Sequence, residues 1–106
     1  MESIVVLVTC ASAREAERLG ETLVRRKLAA CVSLITSPAH SIYRWKGKVE
    51  KSREVLMMIK TTRKHFERLE KEIRRLHSYE TPEIIALPIV AGSAAYLKWL
   101  WKSVKR

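Results

Sequence analysis

A hairpin of unusual length constrains the fold of this chain more than any other feature. Two extended arms of roughly 15 residues flank a predicted turn at Lys46-Gly47, whereas an ordinary strand has five or six residues. Pro38 interrupts the first arm and must lie at a bulge or an edge, because proline cannot donate to the ladder. One pair of helices cannot cover strands of this length. The outer half of the hairpin, with Tyr43 and Trp45, therefore needs another surface to bury it.

The rest of the chain alternates between strand and helix patterns. The predicted order is a strand at 4–8, a helix from 12 to about 27, a strand at 29–35 that resumes at 41–45, a strand at 49–60, a helix at 63–76, a strand at 84–90 and a last helix after residue 92. With right-handed crossovers, this order predicts one α+β domain, 1–106, with a ferredoxin-like β-α-β-β-α-β sheet and an extra C-terminal helix. Both main helices then lie on one sheet face. Gly20 inside the first helix indicates close packing there, and Leu76 ends an apolar core stripe on the second helix. We expect oligomerisation to cover the other face, because the strands are apolar at consecutive positions.

The composition excludes several function classes. The chain has no Asp, Asn or Gln, and all 11 acidic residues are Glu, so Asp nucleophiles and Asp-rich calcium or magnesium loops cannot be built. Loss of Asn and Gln beside many Lys, Arg and Glu residues indicates a thermophilic source. No apolar run is long enough to span a membrane, no secretory leader is evident, and the two cysteines form no CxxC pair. We therefore expect a reduced, cytoplasmic protein.

The formal net charge of +10 raises the question of a nucleic-acid partner. The second helix, however, has the pattern of a solvated, salt-bridged face, with three opposite-charge pairs at a spacing of four residues. These pairs are Glu67 with Lys71, Glu70 with Arg74, and Arg68 with Glu72. The third strand also lacks the aromatic residues with which an RNA-recognition domain stacks bases. We expect nonspecific attraction to polyanions at low salt and no specific nucleic-acid recognition.

The segment LHSYETPE, residues 76–83, concentrates the chemistry of the chain between a helix and a strand. A loop between two rigid elements is well placed to bind a ligand, or it simply joins them, with His77 bonded to a backbone carbonyl. The imidazole of His77 is the best candidate ligand for copper, nickel or zinc, although a site needs three or four donors. Glu80 is a candidate second donor, or it accepts a hydrogen bond from a neighbouring subunit.

The remaining thiols and imidazoles give weaker signals. Cys31 lies between apolar residues on a strand and is predicted to be a small buried hydrophobe, with a metal donor as the alternative. Cys10 lies at a helix entrance, where backbone amides lower a thiol pKa, so it is the more reactive cysteine if exposed. His40 and His65 are predicted to be surface residues. No catalytic residue is assigned, and an acylphosphatase-like enzyme is disfavoured because the chain has no Asn or Gln amide to orient water.

Several segments together closely resemble the CutA divalent-cation tolerance proteins. The matching segments are 28–32 (LAACV), 41–50 (SIYRWKGKVE), 59–62 (IKTT) and 77–89 (HSYETPEIIALPI), followed by Gly92, Tyr96, Leu97 and Trp99. The resemblance implies a small cytoplasmic protein that forms a tight homotrimer, similar in build to the PII signalling proteins, in which hairpins of neighbouring subunits pair. It also implies an association with tolerance to copper and other divalent metals, no established enzymatic reaction and no required cofactor.

Beside the resemblance, the candidate residues fall into metal donors and subunit contacts, and one alternative function remains. Candidate metal donors are His77, Glu80 and Cys31, and candidate subunit contacts are Tyr43, Trp45, Tyr79 and Pro82. Ser78 departs from the family, which usually has proline there, and serine leaves the loop backbone less constrained. Val8 and Leu76 occupy positions where some members carry a thiol or an imidazole. The alternative is a trimeric adaptor that binds a small anionic effector or a protein partner between its subunits.

Overall fold

The computed structural model describes residues 2–105 and contains four strands and three α-helices. They are β1 (Ser3–Cys10), α1 (Ala13–Arg25), β2 (Cys31–Trp45), β3 (Lys48–Thr62), α2 (Phe66–Leu76), β4 (Ile84–Pro88) and α3 (Ala94–Ser103), with a 3₁₀ turn at Arg63–His65 before α2. The predicted α+β class and order of elements are confirmed. The fourth strand is shorter than predicted because it ends at Pro88, whereas Val90 is almost fully exposed.

The four strands form one antiparallel sheet in the order β2-β3-β1-β4. The long hairpin is confirmed, with 15 residues in each arm. Its turn residues Lys46 and Gly47 have φ values of 52° and 80°, the left-handed pair that matches the twist of a two-residue hairpin. The register between β2 and β3 shifts between Ile35 and Ala39, so Pro38 lies in the predicted bulge.

Helices α1 and α2 pack with one face of the sheet to form the main hydrophobic core. Its fully buried members include Val6 and Val8 of β1, Leu23 of α1, and Leu69 and Ile73 of α2. The glycine inside α1 permits this close approach: a Cβ at Gly20 would lie 3.2 Å from Val32 Cγ1. The close packing predicted at that glycine is therefore confirmed.

The opposite face of the sheet, which we call the second face, is covered by α3 at one end only. Trp101 Nε1 of α3 donates to Ser3 Oγ at 2.9 Å, and Leu100 of α3 and Val104 just after it cluster with Ala30. Farther along the face, Ile35, Ile85 and Leu87 are 44%, 50% and 49% exposed. A broad apolar surface is thus open in the single chain. No helix within residues 2–105 is long and apolar enough to cross a membrane.

Two predictions of burial around α2 were wrong. Leu76 was placed in the core stripe of α2 but is 38% exposed, because it is the last residue of the helix, where the chain turns away. His65 was predicted on the surface but is 8% exposed, and its Nδ1 lies 2.6 Å from Thr62 Oγ1. The 3₁₀ turn after β3 folds this ring back onto the chain. The exposed position of His40 is as predicted.

The ion pairs of α2 also differ from the sequence prediction. Glu70 and Arg74 pair at 3.2 Å, but the other two predicted pairs do not form within residues 2–105. Glu72 instead turns toward the end of α1 and pairs with Arg26 at 2.9 Å. It also accepts two hydrogen bonds, of 3.0 and 2.9 Å, from Arg75. Glu72 thus pairs with one arginine distant in sequence and with Arg75 on its own helix, and not with the predicted Arg68.

Candidate functional site

The end of α2 directs His77 into the protein. The helix ends with extended backbone at His77, whose N–H still donates to Ile73 O at 2.8 Å. The imidazole side chain is completely buried. Its Nε2 lies 2.7 Å from Thr9 O of β1, and the Tyr79 N–H donates to its Nδ1 at 3.0 Å. The ring thereby joins the loop after α2 to the end of the first strand.

These two contacts determine which nitrogen of the His77 ring carries the proton. A backbone N–H can only donate, so Nδ1 accepts from Tyr79, and the ring proton on Nε2 points at the Thr9 carbonyl. Both nitrogens are occupied by backbone groups. The interpretation that His77 is satisfied by a backbone carbonyl matches this arrangement. A metal ion could reach either nitrogen only if one of these bonds were broken.

Cys10 packs beside this ring. Its Sγ lies 3.7 Å from His77 Nε2 and 3.5 Å from Met57 Sδ, and the residue is fully buried. Burial, reinforced by the charges of Glu15 and Glu54, raises the pKa of the Cys10 thiol to about 12. The effect of the helix entrance predicted from the sequence is outweighed by burial. Cys10 is therefore an inert thiol and not a reactive one.

Glu15 ties the same loop to the start of α1. Its Oε2 accepts the Ser78 N–H at 2.8 Å and lies 3.9 Å from His77 Nδ1. Burial raises the pKa of the Glu15 carboxyl, but the hydrogen bonds from Ser78 and, to a smaller extent, the electrostatic effect of the nearby His77 lower it by more, so the pKa lies below its ordinary value. Proline has no N–H to donate. The serine, where the resemblance leads us to expect proline, thus supplies a bond that proline cannot make.

Tyr79 completes the network on the β3 side. Its hydroxyl donates to Glu54 Oε2 at 2.8 Å, and its ring lies 4.7 Å from the His77 ring, centroid to centroid. Burial and the hydrogen bond to Glu54 raise the pKa of the Tyr79 phenol. We name the five residues Cys10, Glu15, Glu54, His77 and Tyr79 the loop network. Sequence reasoning found His77 and Tyr79 in it. It missed the roles of the two glutamates, for which the only sequence signal was the position of Glu15 in the first turn of α1, three residues after Ser12, the N-cap of that helix.

The three candidate metal donors do not converge within one chain. Cys31 pairs with Lys60 of β3, whereas Cys10, beside His77, pairs with Val55. Those positions are separated by about 17 Å along the strand. Within residues 2–105, no three His, Cys, Asp or Glu residues form a group that could hold a metal ion. The donor set of a single chain therefore does not fit a divalent cation.

Cys31 and Glu80 are nonetheless more accessible than His77. Cys31 is half-buried on the second face, with its Sγ 3.9 Å from Ser33 Oγ, so the prediction of a fully buried thiol does not hold for the single chain. The Cys31 thiol also lies near Tyr96, where burial and this thiol raise the pKa of the phenol. Glu80 is exposed in the loop.

The candidate subunit contacts lie in different surroundings. Tyr43 and Trp45 are 44% and 39% exposed near the tip of the hairpin, where Lys46 Nζ stands 5.8 Å from the Trp45 ring centroid. Pro82 is half-buried. Tyr79 makes its polar contact inside the chain, with Glu54. The hairpin aromatics therefore offer the larger free apolar surface.

The fold and the loop network define a small α+β protein with a four-stranded antiparallel sheet, a projecting hairpin and a loop after α2 that is tied to β1, α1 and β3. The family model described as CutA1 divalent ion tolerance protein matches residues 4–103. The chain belongs to this family. The family is named for tolerance to divalent ions and not for a reaction.

Relatives and solved structures agree with this assignment. The chain is 44% identical over 96 residues to the divalent-cation tolerance protein CutA of Thermus thermophilus, covering 91% of this chain and 92% of that one. It is 42% identical over 103 residues to the chloroplastic CutA of Arabidopsis thaliana, covering 97% of this chain but only 56% of the relative. The solved Thermus structure superposes with a TM-score of 0.92 at 42% identity, covering 95% of this chain and 97% of that one. A structure from Archaeoglobus fulgidus, described as a periplasmic divalent cation tolerance protein, has a TM-score of 0.93 at 37% identity and covers 97% of this chain and 99% of its own.

Proposed function

We propose that the protein is a non-enzymatic homotrimer that contributes to tolerance of copper and other divalent cations. Membership of the divalent ion tolerance family supports the association with metals. The main support for the proposed trimer is the open apolar second face, together with the exposed hairpin aromatics Tyr43 and Trp45. An apolar surface of this extent is typical of a subunit interface. In the proposed trimer, each chain has the ferredoxin-like topology, and the hairpins of neighbouring subunits pair.

Light scattering tests the assembly directly. At micromolar concentration the particle mass should be close to three times the 12.3 kDa of the chain. Replacing Leu87 by Glu on the second face should shift the particle toward monomer, because it would bury a charge in the interface. The matched control is Val90→Glu, which places the same charge on a nearly fully exposed position. A monomeric wild-type chain would refute the proposal.

A divalent cation would have to be bound by donors from more than one subunit, because one chain brings too few together. The proposed donor set comprises Glu80, Cys31 and His77, of which His77 would have to release a backbone partner. Calorimetric titration of metal-free protein with copper, zinc and nickel should give a saturable signal. Replacing His77 or Glu80 by Ala should weaken it, with a loss of about tenfold for His77. Equal affinities for wild type and both variants would remove these residues from any metal site.

We propose that the protein works in the cytoplasm of a thermophile. Its proposed partners are further copies of the same chain, and we expect no specific nucleic-acid partner. Two free cysteines are consistent with a reducing compartment. Absence of Asn and Gln, ion pairs on the helices and subunit burial together lead us to expect a melting temperature above ~90 °C. Cell fractionation tests the compartment. Reversible melting of the native protein near ~60 °C would contradict the thermal expectation.

A further inference from the structure

A basic groove between the end of α1 and the outer face of α2 has no place in the proposed function. Its volume is about 450 Å³. The lining side chains are Arg26, Leu28, Arg68, Lys71, Glu72 and Arg75. Four cations against one carboxylate give the groove a net charge of three positive units. Both helices lie on the opposite side of the sheet from the second face, so the proposed trimer would leave three such grooves open to solvent.

The ion pairs around the groove leave much of its positive charge without a neutralising partner. The sequence predicts that Arg68 and Lys71 are neutralised by Glu72 and Glu67 on the same helix. Instead Glu72 pairs with Arg26 and with Arg75. Neither Arg68 nor Lys71 forms an ion pair in the part of the chain that the structure describes, and both are exposed. The groove thus holds two unpaired cations beside two arginines that share one carboxylate.

The shared carboxylate also holds its arginines in position. Glu72 is buried, and the Arg75 guanidinium bonded to it lowers the pKa of the carboxyl, so the charge that orients both arginines persists well below neutral pH. The Arg26 and Arg75 side chains remain 59% and 58% exposed, with donors to spare. The backbone beneath Arg26 is anchored as well, because its N–H donates to Thr22 O and Leu28 N–H donates to Leu23 O, each at 3.0 Å.

The shape of the cation row indicates the class of ligand. Residues 68, 71, 72 and 75 lie on one face of α2 and span about 10 Å along the helix axis. A single phosphate is too small to contact cations at both ends of this row, whereas a chain of linked phosphates can. Guanidinium forks match phosphate oxygens in geometry and charge. No aromatic side chain lines the groove within residues 2–105, and its one apolar residue, Leu28, is buried, so the groove offers a nucleobase no aromatic or exposed apolar surface.

We propose that this groove is an oligophosphate-binding site that recognises the phosphate chain itself, whether it comes from an inorganic polyphosphate or from a nucleoside triphosphate. The site lies on the helix layer, on the opposite side of the sheet from the second face, and none of its lining residues belongs to the loop network. It therefore does not depend on the proposed role in metal tolerance.

Isothermal titration of the full chain with sodium tripolyphosphate tests this site, in magnesium-free buffer at about 0.15 M salt, where long-range attraction to the net charge is screened. We expect saturable binding at one site per chain. The double variant Arg68→Ala/Lys71→Ala should weaken it by ~10-fold or more. The control Arg14→Ala/Arg18→Ala removes the same charge from exposed positions of α1 outside the groove, and should change the affinity by less than ~3-fold. Circular dichroism and particle mass confirm that both variants fold.

Three comparison ligands distinguish the sources of the phosphate chain and the competing explanations. ATP should bind within ~3-fold of tripolyphosphate, whereas AMP and orthophosphate should bind at least ~10-fold more weakly. Equal losses in the two double variants would mean that net charge alone attracts the anion, and would overturn the site. Absence of saturable binding would do the same. ATP binding ~10-fold tighter than tripolyphosphate would show that a nucleobase is recognised, which contradicts the proposed class of ligand.

Discussion

Replacing His77 by Ala tests whether the imidazole is a structural tether. The variant removes the ring that bonds Thr9 O at 2.7 Å and Tyr79 N–H at 3.0 Å, both in buried or partly buried surroundings. A buried polar group left without a partner costs about 1–3 kcal/mol. Leaving two such groups without partners predicts a loss of about 3 kcal/mol in the free energy of unfolding, after allowance for the hydrogen bonds that entering water restores. The loss should appear in metal-free protein, because neither bond involves a metal.

Guanidinium unfolding at one fixed protein concentration measures this loss, since the stability of an oligomer depends on concentration. The matched control is His40→Ala at an exposed histidine, which should change the free energy of unfolding by less than ~0.5 kcal/mol. Two conservative variants separate the two bonds. His77→Asn offers an oxygen in place of Nδ1, and His77→Gln offers a donor in place of Nε2, so each should recover about 1 kcal/mol. If His77→Ala and His40→Ala unfold at the same denaturant concentration, the tether does not contribute to stability.

Other contacts of the loop give further predictions. Ser78→Pro should lower the free energy of unfolding by about 1 kcal/mol, because the lost N–H bond to Glu15 outweighs the stiffer backbone, while Ser78→Ala should be neutral. Because the pKa of Glu15 is lowered on folding, its contribution is present above the ordinary value of 4.5 and is lost as the pH falls below it. Acid unfolding curves should therefore show a smaller pH dependence in Ser78→Pro than in wild type. Tyr79→Phe should cost about 1–2 kcal/mol by leaving a buried carboxylate without its donor, and no change in the denaturation midpoint would contradict this. In a Cys31→Ser background, Cys10 should resist a thiol reagent at pH 8 until denaturant is added, and rapid labelling of the folded protein would show that it is not buried.

Local patterns determined the elements of this protein. Alternation and apolar runs predicted each strand and helix, the Lys46-Gly47 turn and the bulge at Pro38, because these depend on backbone preferences and on the period of the side chains. Gly20 predicted a close approach that the Val32 contact confirms. The segment at 76–83 could be recognised as a loop with several functional side chains, and His77 as its best candidate ligand, from sequence alone.

Only the tertiary structure decided what those side chains contact. Ser78 meets Glu15 across 63 positions of the chain, and His77 meets Cys10 across 67, so no local pattern records either pair. The same holds for the pair of Glu72 with Arg26, which directly follows α1 and is distant from Glu72 in sequence. An ionisable side chain takes its partner and its pKa from whichever groups the packed core places beside it, and burial excludes the water that would otherwise satisfy it.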